Sequence, residues 1–337
     1  MPKVVLGENL PAFAGQRLRA VLPEGVEFEA VQAPGEEELL RCARGAQVLV
    51  TVRVRVDARI LALLPSVRFI QTLGVGYDYL DLAAMEASGV VAANNPGFNA
   101  TTVADHTIML MLVLLNRFVA AHDATRSGAF PMMQFIAANQ TTMRELGDET
   151  VGLIGFGNIG RAVAERLAGF KTETLYYARH RADESTEARY GVRYAPLNEL
   201  LASASIVSLH VPASPGTRHM FGAAELEQMQ PGAFLINTSR GELIDETALR
   251  RAISGGPLAG AGLDVIQNEQ TEVHPFADLP QVVVTPHSAG ISRSSLPRSL
   301  NQAAANIVRF LDGEPVLNAV TQKLAQPRRA FNEKSGL

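Results

Sequence analysis

The sequence predicts an α/β protein built from two doubly wound, Rossmann-like domains with a cleft between them. Three observations lead there. Short apolar runs alternate with helical patterns in two separate series, a long helical stretch divides the series, and a glycine-rich turn opens the second. In the first series, from Val4 to about Ala93, "KVVLG", "AQVLVTV", "VRFIQTLG" and "VVAANN" read as strands and "EEELLRCARG", "DARILALLP" and "LDLAAMEASG" as helices. The divider is a helix from Thr102 to about Thr125, followed by "RSGAFPMMQFIAANQTTMREL", which has no clear period and reads as an arm or extended loop. Six strands make the second series: "TVGLIGF", "TETLYYA", "ASIVSLHV", "GAFLINTS", "LAGAGLDV" and "QVVVTPH". Beyond His287, "SRSSLPRSLNQAAANIVRFLDGE" is a helical pattern long enough to return to the first domain, with Pro297 expected to break or kink it. The expected division is therefore residues 1–100 plus 290–325 as a discontinuous substrate domain, and residues 101–289 as a cofactor domain that includes the arm at about 102–146.

Composition narrows the function. A chain of 337 residues suits two domains with a sizeable core each. Thirty basic residues against 34 acidic ones, a formal charge of −4, offer no general attraction to nucleic acid or anionic lipid. Cys42 is the single cysteine, so an internal disulfide framework and a cysteine metal cluster are excluded, and no metal site is expected. The start, "MPKVVLGENL", reads as a first strand rather than a leader, and "IMLMLVLL" (Ile108 to Leu115) is too short to span a bilayer. The expectation is a cytoplasmic protein with a small-molecule partner, no membrane, and a loose tail from about Gln326.

Gly155-Phe156-Gly157-Asn158-Ile159-Gly160 follows an apolar strand and opens a helix expected over Ile159 to Ala168, closing at Gly169. In that context the first glycine permits a tight turn, the second lets backbone approach a pyrophosphate, and the third lets helix and strand pack closely. The next strand should end in an acid that holds the ribose hydroxyls of NAD. It ends instead in Ala178, 23 positions after Gly155, followed by Arg179, His180 and Arg181. Alanine removes a carboxylate that would repel a 2′-phosphate, and the arginines offer cations for it, so NADP(H) is favoured over NAD(H). The competing reading makes "RHRADE" a solvated charged loop.

Hydride transfer to a carbonyl requires a cation for the substrate carboxylate and a proton donor for the forming alkoxide. Of seven histidines, His210 and His287 lie at carboxyl ends of second-domain strands, where ligands collect. His287 is preferred as the acid because the following "SAG" leaves its ring room to face a cleft. Arg240 ends another strand, with Gly241 leaving room beside it, and its fork suits a bidentate carboxylate contact. A carboxylate to support the imidazole is offered by Glu269 or by Glu272, and position alone does not choose.

Together these residues resemble the D-isomer-specific 2-hydroxyacid dehydrogenase family, most closely its glyoxylate and hydroxypyruvate reductase branch. The resemblance spans nearly the whole chain through "LGVGYDYLDL", "NNPGFNATTVADHT", "VGLIGFGNIGRAVAERL", "SLHVPASPGTRHMF", "INTSRGELIDETAL", "GAGLDV" and "TPHSAG". It implies a flavodoxin-like substrate domain beside the dinucleotide-binding one, and the catalytic set Arg240, Glu269 and His287, Glu269 being chosen because it stands five residues after Asp264. Val75 and Gly76 then hold the substrate carboxylate through backbone N–H groups. Thr107, Val211, Pro212, Thr217, Thr238, Ser239, Asp264 and Ala289 join the glycine turn along the cofactor, and His210 becomes a cofactor neighbour. A homodimer through Thr102 to Leu146 is implied as well. Departures from the family pattern are Gln270 where proline is common, "VIQN" before Glu269, and Asp105 in the element usually written VAE. The implied reaction is reduction of a small 2-oxo acid; a cofactor-sensing, corepressor-like binding protein and phosphite oxidation are the rival readings.

Overall fold

The computed structural model describes residues 1–128, 132–269 and 274–321. Gln270, Glu272 and the tail from Gln326 lie outside the described residues. Two compact units emerge, Met1–Asn99 with the stretch from Ser292 onward, and Ala100–Ile291.

The first unit is a five-stranded parallel sheet of β1 (Lys3–Leu6), β2 (Glu27–Ala30), β3 (Val48–Thr51), β4 (Phe69–Thr72) and β5 (Val91–Ala93). The order β2-β1-β3-β4-β5 is the flavodoxin-like winding. Helices α1 (Ala12–Val21), α2 (Glu36–Ala43), α3 (Ala58–Leu63) and α4 (Leu82–Ser88) connect the strands. Every residue of β3 and β4 is buried, which explains their unbroken apolar runs in place of alternation. The sequence reading passed over α1 and β2. Pro11 precedes α1 and gives it no side-chain cap, and β2 is a half-exposed edge strand reading EFEA, so neither carries an ordinary signal. Pairing of Leu6 with Val50, Thr51 with Thr72 and Gln71 with Ala93 brings the carboxyl ends of β1, β3, β4 and β5 level.

The second unit begins with α5 (Ala100–Leu115), α6 (Phe118–Arg126) and α7 (Met132–Asn139). The one helix expected to run to Thr125 is thus broken at Arg117, whose φ of 49° is left-handed, and the supposedly irregular arm contains α7. The sheet holds β6 (Thr150–Ile154), β7 (Glu173–Tyr177), β8 (Val192–Tyr194), β9 (Ile206–Leu209), β10 (Ala233–Asn237), β11 (Leu258–Leu263) and β12 (Val282–Val284). Among them run α8 (Asn158–Phe170), α9 (Glu184–Tyr190), α10 (Leu197–Ser203), α11 (Ala223–Gln228) and α12 (Glu246–Ser254). All strands are parallel in the order β12-β11-β10-β9-β6-β7-β8, a doubly wound sheet with its switch point between β6 and β9. The short edge strand β8 is additional to the six expected. Helix α8 continues past Gly169 and stops at Lys171, in the left-handed region.

Register does the positioning. Ile154 pairs with Tyr177 and Leu209, Leu209 with Asn237, Asn237 with Leu263, and Leu263 with Val284. The residues that follow, Ala178, Gly155, His210, Thr238, Asp264 and Thr285, therefore form one row along the carboxyl edge.

The last helix, α13 (Ser295–Leu311), packs on α1 and β4 of the first unit. Pro297 falls in its first turn, where no intrahelical N–H bond is due, so the expected break does not occur. Phe310 of α13 stacks on Phe69 with ring centres 5.0 Å apart. No single described helix is long and apolar enough to cross a membrane, and no described cluster of His, Cys, Asp or Glu could hold a metal ion.

Candidate active site

The glycine turn divides its labour by position. Gly155 has φ 102° and its absent Cβ would lie 2.5 Å from His210 O, while a Cβ on Gly160 would collide with Gly155 O. These two let β6, β9 and α8 approach. Nothing lies within 4 Å of a Cβ built on Gly157, and no side chain caps the first turn of α8. The middle glycine thus borders open space in front of uncapped N–H groups, the arrangement a pyrophosphate needs. The Phe156 side chain turns inward and stacks on Tyr176 at 4.3 Å, so only its backbone faces the turn. Asn158 and Ile159 open the helix.

Next to the turn, Ala178 is half-buried at the end of β7 and Arg179 and His180 are exposed. Arg181 does not stand ready for a phosphate. Its guanidinium makes two 2.8 Å bonds to the Glu187 carboxylate, which also accepts Tyr176 Oη at 2.8 Å. Of the two arginines only Arg179 makes no hydrogen bond or ion pair among the described residues.

His287 and Glu269 meet. His287 Nδ1 lies 2.5 Å from Glu269 Oε1, and both side chains are part-exposed. A carboxylate only accepts, so Nδ1 carries the proton of that bond and Nε2 is left for other chemistry. The His287 backbone is left-handed, φ 52°, a strained conformation for a side-chain-bearing residue. Asp264, nearly wholly buried, holds it there. Its carbonyl accepts His287 N at 2.8 Å and its carboxylate accepts Thr285 Oγ1 at 2.5 Å and the N–H groups of Ser288 and Ala289 at 2.9 Å. His106 Nε2 closes the group with a 2.8 Å bond to Thr285 Oγ1. The carboxylate assigned to the cofactor by resemblance is thus engaged in shaping the turn under His287.

His210 is placed differently. Its Nε2 meets Ser208 Oγ at 3.0 Å, its Nδ1 is buried, and burial pushes its pKa down to about 3. A ring that stays neutral is a poor proton donor near pH 7, which counts against His210 as the acid.

Arg240 follows β10 with extended backbone, and its Nη1 donates to Ser239 O at 2.8 Å. The fully buried Asn237 braces this turn, donating to Arg240 O at 2.8 Å and accepting Ser239 N at 3.0 Å. Gly241 does not leave room: a Cβ there would collide with the backbone of Ile266 and Gln267. Instead it lets the Arg240 turn lie against the segment leading to Glu269. Gln267 fastens that segment, its N–H on Glu246 Oε1 and its Nε2 on Ile244 O, both at 2.7 Å. The unusual "VIQN" is therefore pinned. Asp105 likewise retains an acid's role, taking Arg166 Nε at 2.6 Å between α5 and α8.

Thr107 and Thr238, buried, share a 3.1 Å hydroxyl contact, and Thr217 Oγ1 donates to Pro212 O at 2.8 Å, shaping the loop after His210 and Val211. In the first unit, Val75 and Gly76 follow β4. Their N–H groups have no partner among the described residues, whereas Gly74 O and Val75 O are taken by Asn95 N at 3.0 Å and Asn94 Nδ2 at 2.7 Å. The neighbouring loop after β3 also turns its N–H groups to an acceptor, and there Glu8 Oε1 fills the position, accepting Val52 N at 2.9 Å and Val54 N at 2.5 Å.

The model for the NAD-binding domain of D-isomer specific 2-hydroxyacid dehydrogenases matches residues 108–289, more than half of the chain. The chain belongs to the D-isomer specific 2-hydroxyacid dehydrogenase family. Among curated members it is 34% identical to a glyoxylate reductase of Thermococcus litoralis over 330 residues, covering 95% of this chain and 97% of that one. A solved protein of Thermus thermophilus is 32% identical with TM-score 0.82, covering 94% of this chain and 99% of the other. An acyclic imino acid reductase solved with NADPH and D-Arg is 25% identical with TM-score 0.83, covering 94% and 99%. In this family member Arg240 and His287, singled out from the sequence, lie just beyond the ends of β10 and β12. The braces Asn94, Asn237 and Gln267 were missed; an Asn at or directly after the end of a buried strand is the signal that could have found the first two.

Proposed function

We propose that this protein reduces a small 2-oxo acid, of the glyoxylate or hydroxypyruvate kind, to the D-2-hydroxy acid, with NADPH preferred over NADH. The observation that carries the reading is the 2.5 Å pair of His287 Nδ1 and Glu269 on the carboxyl edge of a dinucleotide-binding sheet. The open side of Gly157 and the uncapped start of α8 fit a pyrophosphate. When bound, the reduced nicotinamide supplies the hydride. His287 Nε2 donates the proton to the carbonyl oxygen as it becomes an alkoxide, and Glu269 stabilises the protonated ring and fixes which nitrogen faces the substrate. Arg240 offers a two-pronged contact for the carboxylate and polarises the carbonyl. Val75 and Gly76 offer backbone donors of the kind a carboxylate accepts from.

Support for NADPH comes from Ala178 in place of an acid and from the exposed, unengaged Arg179; an NADPH-bound relative shows the cofactor occurs on this fold. A homodimer through the α5 to α7 region is part of the reading, supported by apolar side chains left exposed there, among them Phe118 at 56%, Met132 at 54% and Met133 at 66%. Absorbance of the reduced cofactor, followed with glyoxylate, hydroxypyruvate, pyruvate and bulkier 2-oxo acids at equal concentrations, tests the reading with NADPH and NADH in parallel. Oxidation of NADPH by a small 2-oxo acid is expected. Cofactor binding with no turnover on any acid would make the protein a cofactor-sensing one.

A further inference from the structure

The N–H groups of Val75 and Gly76 belong to peptides whose carbonyls are both tied back. Gly74 O, in the peptide that carries Val75 N–H, accepts Asn95 N at 3.0 Å and Thr72 Oγ1 at 3.1 Å. Val75 O, in the peptide that carries Gly76 N–H, accepts Asn94 Nδ2 at 2.7 Å. In a trans peptide the C=O and N–H point in opposite directions, so anchoring the oxygen aims the hydrogen. Two adjacent peptides are aimed in this way.

The anchors are themselves held. Asn94 is mostly buried, directly after β5, with its own N–H on Asn318 O at 3.3 Å. Asn95, 1% exposed, donates to Ser299 O at 2.8 Å, and Ser299 Oγ donates to Leu73 O at 2.6 Å. Gln71 bonds Asn95 Oδ1 at 3.0 Å and accepts Asn306 Nδ2 at 2.9 Å. A buried polar chain therefore runs from α13 through β4 and β5 to the two peptides, and in a low-dielectric interior such a satisfied chain is stiff. Of its members only Asn94 grips the Val75 to Gly76 peptide, with a side chain that reaches 19 positions back along the sequence.

We propose that Asn94 is a positioning residue for the substrate carboxylate, which by holding Val75 O keeps the Gly76 N–H presented to an anion before one arrives. The inference rests on the 2-oxo acid reading above. Without Asn94 the peptide rotates freely, and the bound acid must order it at its own expense.

The test compares wild type with Asn94→Ala and Asn94→Asp, using the full chain. KM and kcat for the 2-oxo acid, the inhibition constant of oxamate and the dissociation constant of NADPH are read on each. Asn94→Ala is expected to raise KM and the oxamate constant together by about five- to tenfold, the loss of one hydrogen bond, with kcat and NADPH affinity within about twofold of wild type. Asn94→Asp, whose carboxylate cannot donate to Val75 O, is expected to raise both constants further. Should the alanine variant fold poorly, the aspartate variant carries the comparison, with NADPH affinity as its control. A wild type that turns over while both variants keep KM and oxamate binding overturns the inference alone; loss of kcat, NADPH affinity and KM together makes Asn94 merely structural and overturns it too. A wild type that reduces no 2-oxo acid overturns the reading and the inference with it.

Discussion

At the scale of single residues, the proposed preference for NADPH rests on fewer groups than the sequence offers. Arg181 is spent on Glu187, so Arg179→Ala should weaken NADPH selectively by about 1.5–3 kcal/mol, the loss of a charge-assisted bond, and Arg181→Ala should leave the NADPH to NADH ratio unchanged. The ratio of kcat/KM values for the two cofactors, at one ionic strength, measures this; equal losses on both for Arg179→Ala would return the loop to a solvated cluster. His210 makes a second prediction. Its folded pKa is depressed to about 3 from 6.5 by burial, so between those values the unfolded chain binds a proton the folded one refuses. Stability should therefore fall as pH drops through 6.5 toward 3, by up to a few kcal/mol, and His210→Gln should flatten that slope in urea denaturation followed at several pH values. An identical slope in the variant would show that the ring is not the neutral, buried group described. The titratable and cationic side chains were legible because chemistry restricts residue type at strand ends. Asn94 and Gln267 were not, because their side-chain amides donate to carbonyls brought near by folding, and Asn237, whose partners lie two and three residues on, reads in sequence as an ordinary strand-end amide.

At the scale of the element, the turn from β6 into α8 separates function from packing within three glycines. Gly157→Ala meets no atom within 4 Å, so the protein should fold with near wild-type stability and bind NADPH more weakly, because the new methyl enters the space before the helix start. Gly160→Ala puts a Cβ against Gly155 O and should lower thermal stability along with cofactor affinity. Calorimetric melting and NADPH titration of both variants check the distinction; a Gly157→Ala protein that melts early and binds normally would reverse the assignment. Elements with strong periodicity or a glycine stop were readable in advance. Those that escaped have identifiable reasons: β2 is a polar edge strand, α1 lacks a capping side chain, and α7 lies among methionines with no polar face to mark a period. Pro297 misled because the helix begins two residues before it, which converts a breaker into an ordinary first-turn residue.

Across the whole molecule, two parallel sheets place their working residues by the same rule. In each, register brings the carboxyl ends level, and the loops there carry the charges, donors and small residues while the central strands beneath are buried. The alternation of strands and helices made that architecture legible; the level rows were not, since they follow from pairing between strands distant in sequence. The proposed chemistry depends above all on the pair at the end of β12, His287 with Glu269. The most direct measurement is the rate of NADPH oxidation by a 2-oxo acid in wild type and His287→Asn, with NADPH affinity determined on both by fluorescence titration. Loss of the proton donor predicts a fall in kcat of about 10²–10⁴ with cofactor affinity preserved. Turnover near the wild-type rate in His287→Asn would contradict the proposal.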